Sequence, residues 1–278
     1  MTNKVTESKL PQINKPAKRY SLNSKQIHLL KLTYKFRYVT SSLIASYRGT
    51  SKVSANKSLK ILLDQGYLGR KYNNKYRIAG KGPRYYLLPK SLKVLRGEPN
   101  ISPKALHNMY KSKSLSSKFI DHNLDVFGVY LVLRDKHPKI FDIFTRVELT
   151  PYDYFPRPKP DLYLNKHNET GDLTNEYILD IFTNVPLFII KKRVNDLIRH
   201  YDLGDWEAET ETDYPAILLV CANTRTENSL RSYIYETLDD KGIDELRIYT
   251  TSLKVLASAE TKKPTWASIY ENSRAVNL

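Results

Sequence analysis

The chain has 278 residues and a formal net charge of +16, from 45 Lys and Arg against 29 Asp and Glu. Its apolar runs are too short to span a bilayer, and its lysine-rich start lacks the apolar core of a secretory signal. A single cysteine, Cys221, cannot build a disulfide framework or a thiolate metal site. These features predict a cytoplasmic protein of one or two domains without a membrane segment.

The charge is unevenly distributed along the chain. Residues 1–118 hold 26 of the 45 basic residues and three acidic ones, a net charge of +23, whereas the rest holds 19 basic and 26 acidic residues, a net charge of −7. Such asymmetry predicts two domains with different tasks, the first of which binds a nucleic-acid backbone. A solvated basic surface or tail is the simpler alternative.

Residues 1–22 are polar and predict a flexible basic arm. Residues 23–97 then predict a winged helix-turn-helix domain. Helices begin at Asn23 or Ser24, at Thr40 and at Ser51, because each of these side chains can cap a helix before an apolar stretch. Val53 and three leucines of the third helix are expected to point inward. Residues 67–70 and 76–78 predict a hairpin around Asn73-Asn74, and a short strand over 85–88 and a helix from Pro89 follow.

In a winged helix the third helix enters the major groove and the wing lies along the backbone. The polar face of the predicted third helix and the predicted wing therefore give the candidate DNA-binding residues. Asn56 suits an adenine edge, whereas the lysines suit guanine or phosphate. The candidates are Lys52, Ser54, Asn56, Lys57, Lys60, Arg70, Lys71, Lys75 and Arg77.

Residues 98–118 contain prolines and serine-lysine alternations and predict a linker. Residues 119–255 predict a second α/β domain with a mixed sheet: a helix over 119–134, strands over 139–149, 161–164 and 176–183, a helix over 187–203, and a strand, a helix and a last strand up to residue 250. Residues 256–278 are expected to form a tail.

Two carboxylates stand at strands of the second domain. Asp161 follows Pro160 where a strand begins, and Asp180 interrupts the apolar strand over 176–183. A carboxylate among apolar residues is costly unless it is paired or binds a cation. On neighbouring strands the two side chains predict oxygen ligands for Mg²⁺ or Mn²⁺. Alternatively, Asp180 ends its strand and caps the following segment.

Within this element order, Pro160-Asp161 and Asp180 resemble the PD-(D/E)xK nuclease superfamily. The segments SLKILLDQGYLGRKY, YYLLPKSLKVL, DHNLDVFGVYLVL, KPDLYL and YILDIFT resemble the plasmid replication-relaxation family over about residues 24–250. That family pairs a winged helix with a nuclease-like domain and is related to MobC-type conjugative relaxases. The resemblance implies a two-domain α/β fold of this kind.

The resemblance also implies a function. Asp161 and Asp180 would hold Mg²⁺ or Mn²⁺, and the domain would use this metal to nick double-stranded plasmid DNA at an origin of transfer or replication. Further relaxosome or replication proteins would be its partners. The superfamily pattern has a lysine two residues after the second acid, but Phe182 stands at that position here. Lys191 or Lys192 on the next helix would take the role of this lysine. Asp121, Asp125 or Glu148 would add a further carboxylate. The alternative is a non-enzymatic origin-binding replication or transcription protein with a degenerate nuclease fold, which the phenylalanine favours.

Other chemistries find less support in the sequence. The six histidines are scattered, which argues against relaxases that use a histidine cluster, and no glycine-rich loop precedes a Lys-Ser or Lys-Thr as phosphate binding by an ATPase requires. Tyr152 and Tyr154 are candidate nucleophiles, although packing is the commoner role of a tyrosine. His122 is a candidate for orienting a phosphate, although a lone helix histidine is more often structural.

Overall fold

A computed structural model describes residues 21–258, 264–270, 274–276 and 278, and the predicted arm over 1–22 lies almost wholly outside them. The side chains of Lys75 and of residues 274–276 also lie outside the described part. The fold is α/β, as the sequence predicts, with one two-stranded sheet and one mixed sheet of seven strands among these residues.

Three capped helices begin the described chain: α1 (Ser24–Phe36), α2 (Ser41–Arg48) and α3 (Lys52–Asp64). Asn23 and Gln26 form a reciprocal capping box at α1, while Thr40 and Ser51 accept backbone N–H groups at α2 and α3. Gly49 ends α2 with φ 61°, a conformation that glycine adopts without strain. The three predicted helix starts are therefore confirmed.

The predicted hairpin around Asn73-Asn74 is wrong. Strand β1 (Leu68–Lys71) pairs antiparallel with β2 (Arg84–Leu87), and the short helix α4 (Asn74–Ile78) lies between them. The Asn73 Oδ1 accepts the Tyr76 N–H at 3.0 Å, so this asparagine starts a helix and does not form a two-residue turn. The loop between the strands is consequently longer than predicted.

The predicted linker over 98–118 is largely helical. Helix α5 (Pro89–Leu95) is followed by α6 (Pro103–Asn108) and a 3-10 helix (Met109–Ser114). Ala105, Leu106 and Met109 are buried in the same core as α1 and α3. Because three residues spaced i, i+1 and i+4 are enough to cover one face of so short a helix, low apolar content did not prevent packing.

The mixed sheet has the order β3-β4-β5-β6-β7-β8-β9. The β5–β6 and β6–β7 pairs are parallel and the other neighbours are antiparallel. Its strands are β3 (Phe141–Thr145), β4 (Leu162–His167), β5 (Leu173–Phe182), β6 (Ala216–Cys221), β7 (Ile248–Ser252), β8 (Trp266–Ser268) and β9 (Arg274–Val276). Strands β8 and β9 lie in the segment predicted as a tail, and Trp266 is fully buried there.

The helices of this half are α7 (Ser117–Lys136), α8 (Leu187–Asp202), α9 (Asp205–Thr210), α10 (Thr224–Lys241) and α11 (Leu253–Leu256). Helix α7 is buried on two sides. Phe127 and Leu131 belong to the core of the N-terminal helices, whereas Val126, Val129 and Leu133 belong to a core of the sheet. Both halves therefore pack on one helix, which places the end of α1 beside the turn after β3.

Candidate functional site

The structure brings Asp161 and Asp180 together in the interior. Asp161 directly precedes β4, Asp180 lies on β5, and Leu162 is paired with Leu179, so the two acids are neighbours across the strand pair. The Asp161 N–H donates to the Asp180 Oδ1 at 3.1 Å, and the Ile181 N–H donates to the Asp161 Oδ2 at 2.9 Å. The two residues are only 4% and 2% exposed. Such burial requires that their charge be compensated.

Three cationic side chains provide that compensation. The Arg193 Nε donates to the Asp180 Oδ2 at 2.7 Å. The Arg146 Nη2 donates to the Asp161 Oδ1 at 2.8 Å, and the His122 Nε2 lies 2.8 Å from the same oxygen. Arg146 follows β3, His122 lies on α7 and Arg193 lies on α8, so three elements contribute. We call these five side chains the ion-pair cluster.

The ion pairs shift proton affinities within the cluster. Burial disfavours the charged carboxylate of Asp161, but Arg146, His122 and the Ile181 N–H outweigh it and hold its pKa below the usual range. Burial also disfavours the imidazolium of His122, yet the hydrogen bond and the charge of Asp161 raise the pKa of His122 above its ordinary value. Both groups are therefore biased toward their charged forms.

Lys191 and Lys192 do not join the two acids. The Lys191 Nζ lies 4.2 Å from the centre of the Tyr233 ring, and Lys192 is exposed. Arg193 is the α8 cation that reaches Asp180, because it shares the buried face of the helix with Ile190, Val194 and Leu197. In the sequence, the signal for this partner of Asp180 was a single arginine on the otherwise apolar face of the helix.

The other acids proposed as ligands have partners of their own. Asp121 pairs with Lys81 and Arg84, each at 2.9 Å. Asp125 accepts the Thr183 hydroxyl at 2.6 Å. Glu148 accepts the Thr145 N–H at 2.8 Å and pairs with Lys35 at 3.2 Å. These contacts hold strands and helices together and leave the ion-pair cluster with two carboxylates.

The two candidate tyrosine nucleophiles belong to an aromatic cluster. The ring of Tyr154 stacks on Phe155 at 5.0 Å and meets Trp206 edge-on at 5.3 Å, while Tyr152 lies 5.8 Å from Tyr154. Burial raises the pKa of Tyr154, which disfavours the phenolate that a nucleophile needs. These contacts support the packing role.

The residues present do not fit a divalent metal. Each carboxylate oxygen of Asp161 and Asp180 already accepts from an N–H group or a cation, and the Asp161 Oδ1 faces two cationic side chains. A metal would compete with charges that already neutralise these acids. Among the described residues, no group of three or more His, Cys, Asp or Glu side chains is placed to hold a metal ion.

The pairing of His122 predicts a pH dependence of stability. A group whose pKa is raised in the fold contributes fully below its ordinary value, here 6.5, and the contribution is lost as pH rises through the raised pKa. We expect the urea midpoint to fall between about pH 6 and about pH 8. His122→Gln should flatten this fall, whereas His107→Gln, at an exposed histidine, should leave it unchanged. Equal profiles for all three proteins would contradict the assignment.

A second candidate site is a groove between α3 and the two-stranded sheet, of about 680 Å³. We call it the basic groove. Its lining combines three basic residues and one acidic residue with polar, apolar and aromatic ones: Ser41, Lys52, Val53, Asn56, Lys60, Leu63, Asp64, Arg70, Tyr72, Gly82, Pro83 and Tyr85. Val53, expected to point inward, is 66% exposed at the start of α3. The Tyr85 hydroxyl donates to the Asn56 Oδ1 at 3.3 Å.

The predicted nucleic-acid contacts are mostly at the surface. On α3, Lys52, Ser54, Asn56, Lys57 and Lys60 are exposed, and so are Arg70 and Arg77. Lys71 instead donates to the Leu115 carbonyl at 2.7 Å. Within the described part of the chain, Lys52, Lys57 and Lys60 form no ion pair. Their charges are therefore available to a polyanion.

Comparison with known proteins does not assign this chain to a family. Neither models of known protein families nor a search of curated proteins gives a match to this chain. No helix in the described ranges has the length and apolar character needed to cross a membrane.

Proposed function

We propose that this protein binds duplex DNA through the basic groove, with α1 to α3 and the two-stranded sheet arranged as a winged helix. The observation that carries the proposal is the exposed cationic face of α3, which forms no ion pair within the described residues, beside a strand that carries Arg70. Lys52, Lys57 and Lys60 face away from the core, and Arg70 extends the same charge onto β1. Helix α3 then enters the major groove while the loop between β1 and β2 follows the backbone.

Two side chains on α3 are suited to reading bases. Asn56 can bind an adenine edge with its amide, and the hydrogen bond from Tyr85 to its Oδ1 leaves the Nδ2 free to donate. Val53 exposes a branched apolar surface three residues earlier on the same helix, and such a surface suits a thymine methyl group. The lysines around them position the helix by phosphate contacts, which carry no sequence information.

We infer a non-enzymatic role for the C-terminal half, as a scaffold of nuclease-like fold. The ion-pair cluster supports this, because arginine and histidine supply the positive charge where a nuclease would hold a metal. The resemblance to the plasmid replication-relaxation family extends the proposal to an origin of transfer or replication. Metal-dependent nicking stays a prediction of the sequence, supported by the adjacency of Asp161 and Asp180.

Fluorescence anisotropy with a labelled duplex tests the binding proposal. Affinity is expected to fall steeply as salt rises, because each phosphate contact releases counterions, and binding is expected to persist when EDTA replaces Mg²⁺. Incubation of supercoiled plasmid with Mn²⁺ tests nicking in parallel and is expected to yield no open-circular product. Affinity that does not depend on salt would refute the groove assignment, whereas open-circular product that Asp180→Asn abolishes would restore the nuclease hypothesis.

A further inference from the structure

A small cavity of about 190 Å³ lies where the two halves of the chain meet. The end of α1 forms one side of it, α6 and α7 form others, and the turn after β3 completes it. Its polar lining includes Lys35, Arg37, His122, Arg146 and Asp161. The cavity therefore shares three residues with the ion-pair cluster and adds two cations from the N-terminal half. It is separate from the basic groove, with which it shares no lining residue.

The charges that line this cavity do not balance. Three permanent cations, Lys35, Arg37 and Arg146, face one carboxylate, that of Asp161. Glu148 pairs with Lys35 from outside the lining at 3.2 Å, and the remaining excess is still positive before His122 is counted. Like charges brought together in a partly buried site raise the free energy of the fold unless an anion joins them.

One donor of the Arg37 guanidinium is not used within the described residues. Its Nη2 donates to the Asn108 carbonyl at 3.1 Å, but its Nε is buried and has no hydrogen-bond partner in the part of the chain that the structure describes. Burial lowers the pKa of the Arg37 guanidinium, and Arg146 lowers it further despite an opposing influence of Tyr38. A buried donor without an acceptor costs free energy, so the protein itself does not fully satisfy this guanidinium.

The backbone at Arg37 is also strained. This residue ends α1 with φ 63° and ψ −40°, in the region that favours glycine. Its guanidinium lies over the Phe119 ring, 5.1 Å from the ring centre. Strained residues tend to occur where a side chain must be held in one place for binding. Arg37 thus combines a strained backbone with a guanidinium that packs between the two halves of the chain.

We propose that this cavity binds a phosphate group, held by the guanidinium groups of Arg37 and Arg146 with His122 beside them. Planar guanidinium groups match the oxygens of a phosphate and form strong charge-assisted hydrogen bonds with them. The volume is below the roughly 300 Å³ at which drug-sized ligands begin, so it holds the phosphate and leaves an attached sugar and base outside. The phosphate comes either from the end of a nucleic-acid strand or from solution.

Calorimetric titration of the full chain with sodium phosphate, at ionic strength matched with sodium chloride, tests the proposal. Phosphate is expected to bind at one site and to raise the melting temperature by a few degrees. Arg37→Gly removes the guanidinium and relieves the positive φ, so it should keep the fold and weaken phosphate binding about tenfold or more. Arg146→Gln should also weaken phosphate binding, although it removes a partner of Asp161 as well, whereas Arg225→Gln, at an exposed arginine of α10, should not weaken it.

Oligonucleotides distinguish the two sources of phosphate. A short single strand with a 5′-phosphate, compared with the same strand carrying a 5′-hydroxyl, should bind more tightly only while Arg37 is present. Preference for the 5′-phosphate supports a strand end, and binding of inorganic phosphate alone supports a free anion. Lys52→Ala with Lys57→Ala should leave phosphate binding intact, which separates this site from the basic groove. Absence of phosphate binding to the wild type, or unchanged binding in folded Arg37→Gly, would overturn the proposal.

Discussion

Replacing Arg193 with alanine is expected to lower the free energy of unfolding by about 3–5 kcal/mol, the usual effect of breaking a buried ion pair from one side. Asp180 is only 2% exposed, and Arg193 donates to its Oδ2 at 2.7 Å. Without the guanidinium, Asp180 loses its contact with a cation and keeps one N–H donor, that of Asp161. Urea denaturation followed by circular dichroism measures the loss.

Two variants separate this effect from general damage to α8. Arg199→Ala breaks an exposed pair with Asp196 on the same helix and should cost at most about 1 kcal/mol. Asp180→Asn combined with Arg193→Met removes both charges, keeps an oxygen for the Asp161 N–H, and should recover much of the stability. If Arg193→Ala lowered the free energy of unfolding no more than Arg199→Ala, the buried ion pair would not stabilise the fold as we infer.

Replacing Lys52 and Lys57 together with alanine is expected to weaken duplex binding by about 1–3 kcal/mol if one of them reads a base. Both lie exposed on α3, and neither is paired with an acid in the described chain. If each also neutralises a phosphate, the slope of log affinity against log salt should fall by about two. Anisotropy measured over a series of salt concentrations gives both quantities.

The control for this double variant removes the same charge elsewhere. Lys139 and Lys254 are exposed in the C-terminal half, so Lys139→Ala with Lys254→Ala changes the net charge equally. If Lys52 and Lys57 contact the DNA directly, only the α3 variant should bind more weakly and show a smaller slope of log affinity against log salt. Similar losses in both double variants would indicate attraction by overall charge and would count against the basic groove as the binding site.

The N-terminal half shows how far local rules reach. Capping residues and apolar spacing located α1, α2 and α3, because these signals act within one turn of a helix. The strand partner of β1 was not predictable in the same way. Asn73 and Asn74 suit either a tight turn or a helix start. The strand that pairs with β1 is formed by residues 84–87, which also contact Val39 just after α1.

At the candidate site the sequence located the acids but not their partners. Asp161 and Asp180 stood out because a carboxylate in an apolar strand needs compensation, and the sheet indeed places them side by side. Lys191 and Lys192 were reasonable candidates by position along α8, whereas the phase of the helix presents Arg193. Arg146 and His122 come from other elements, and nothing local to the acids points to them.

The sequence by itself determined the α/β class, the basic character of the first half and the presence of two buried acids, since composition, periodicity and charge are properties of short segments. Only the tertiary structure decided that the predicted linker and tail are packed, that Arg193, Arg146 and His122 neutralise the acids, and that Arg37 meets Arg146 at one cavity. These contacts join residues far apart in the chain, and their geometry depends on how α7 packs against both halves.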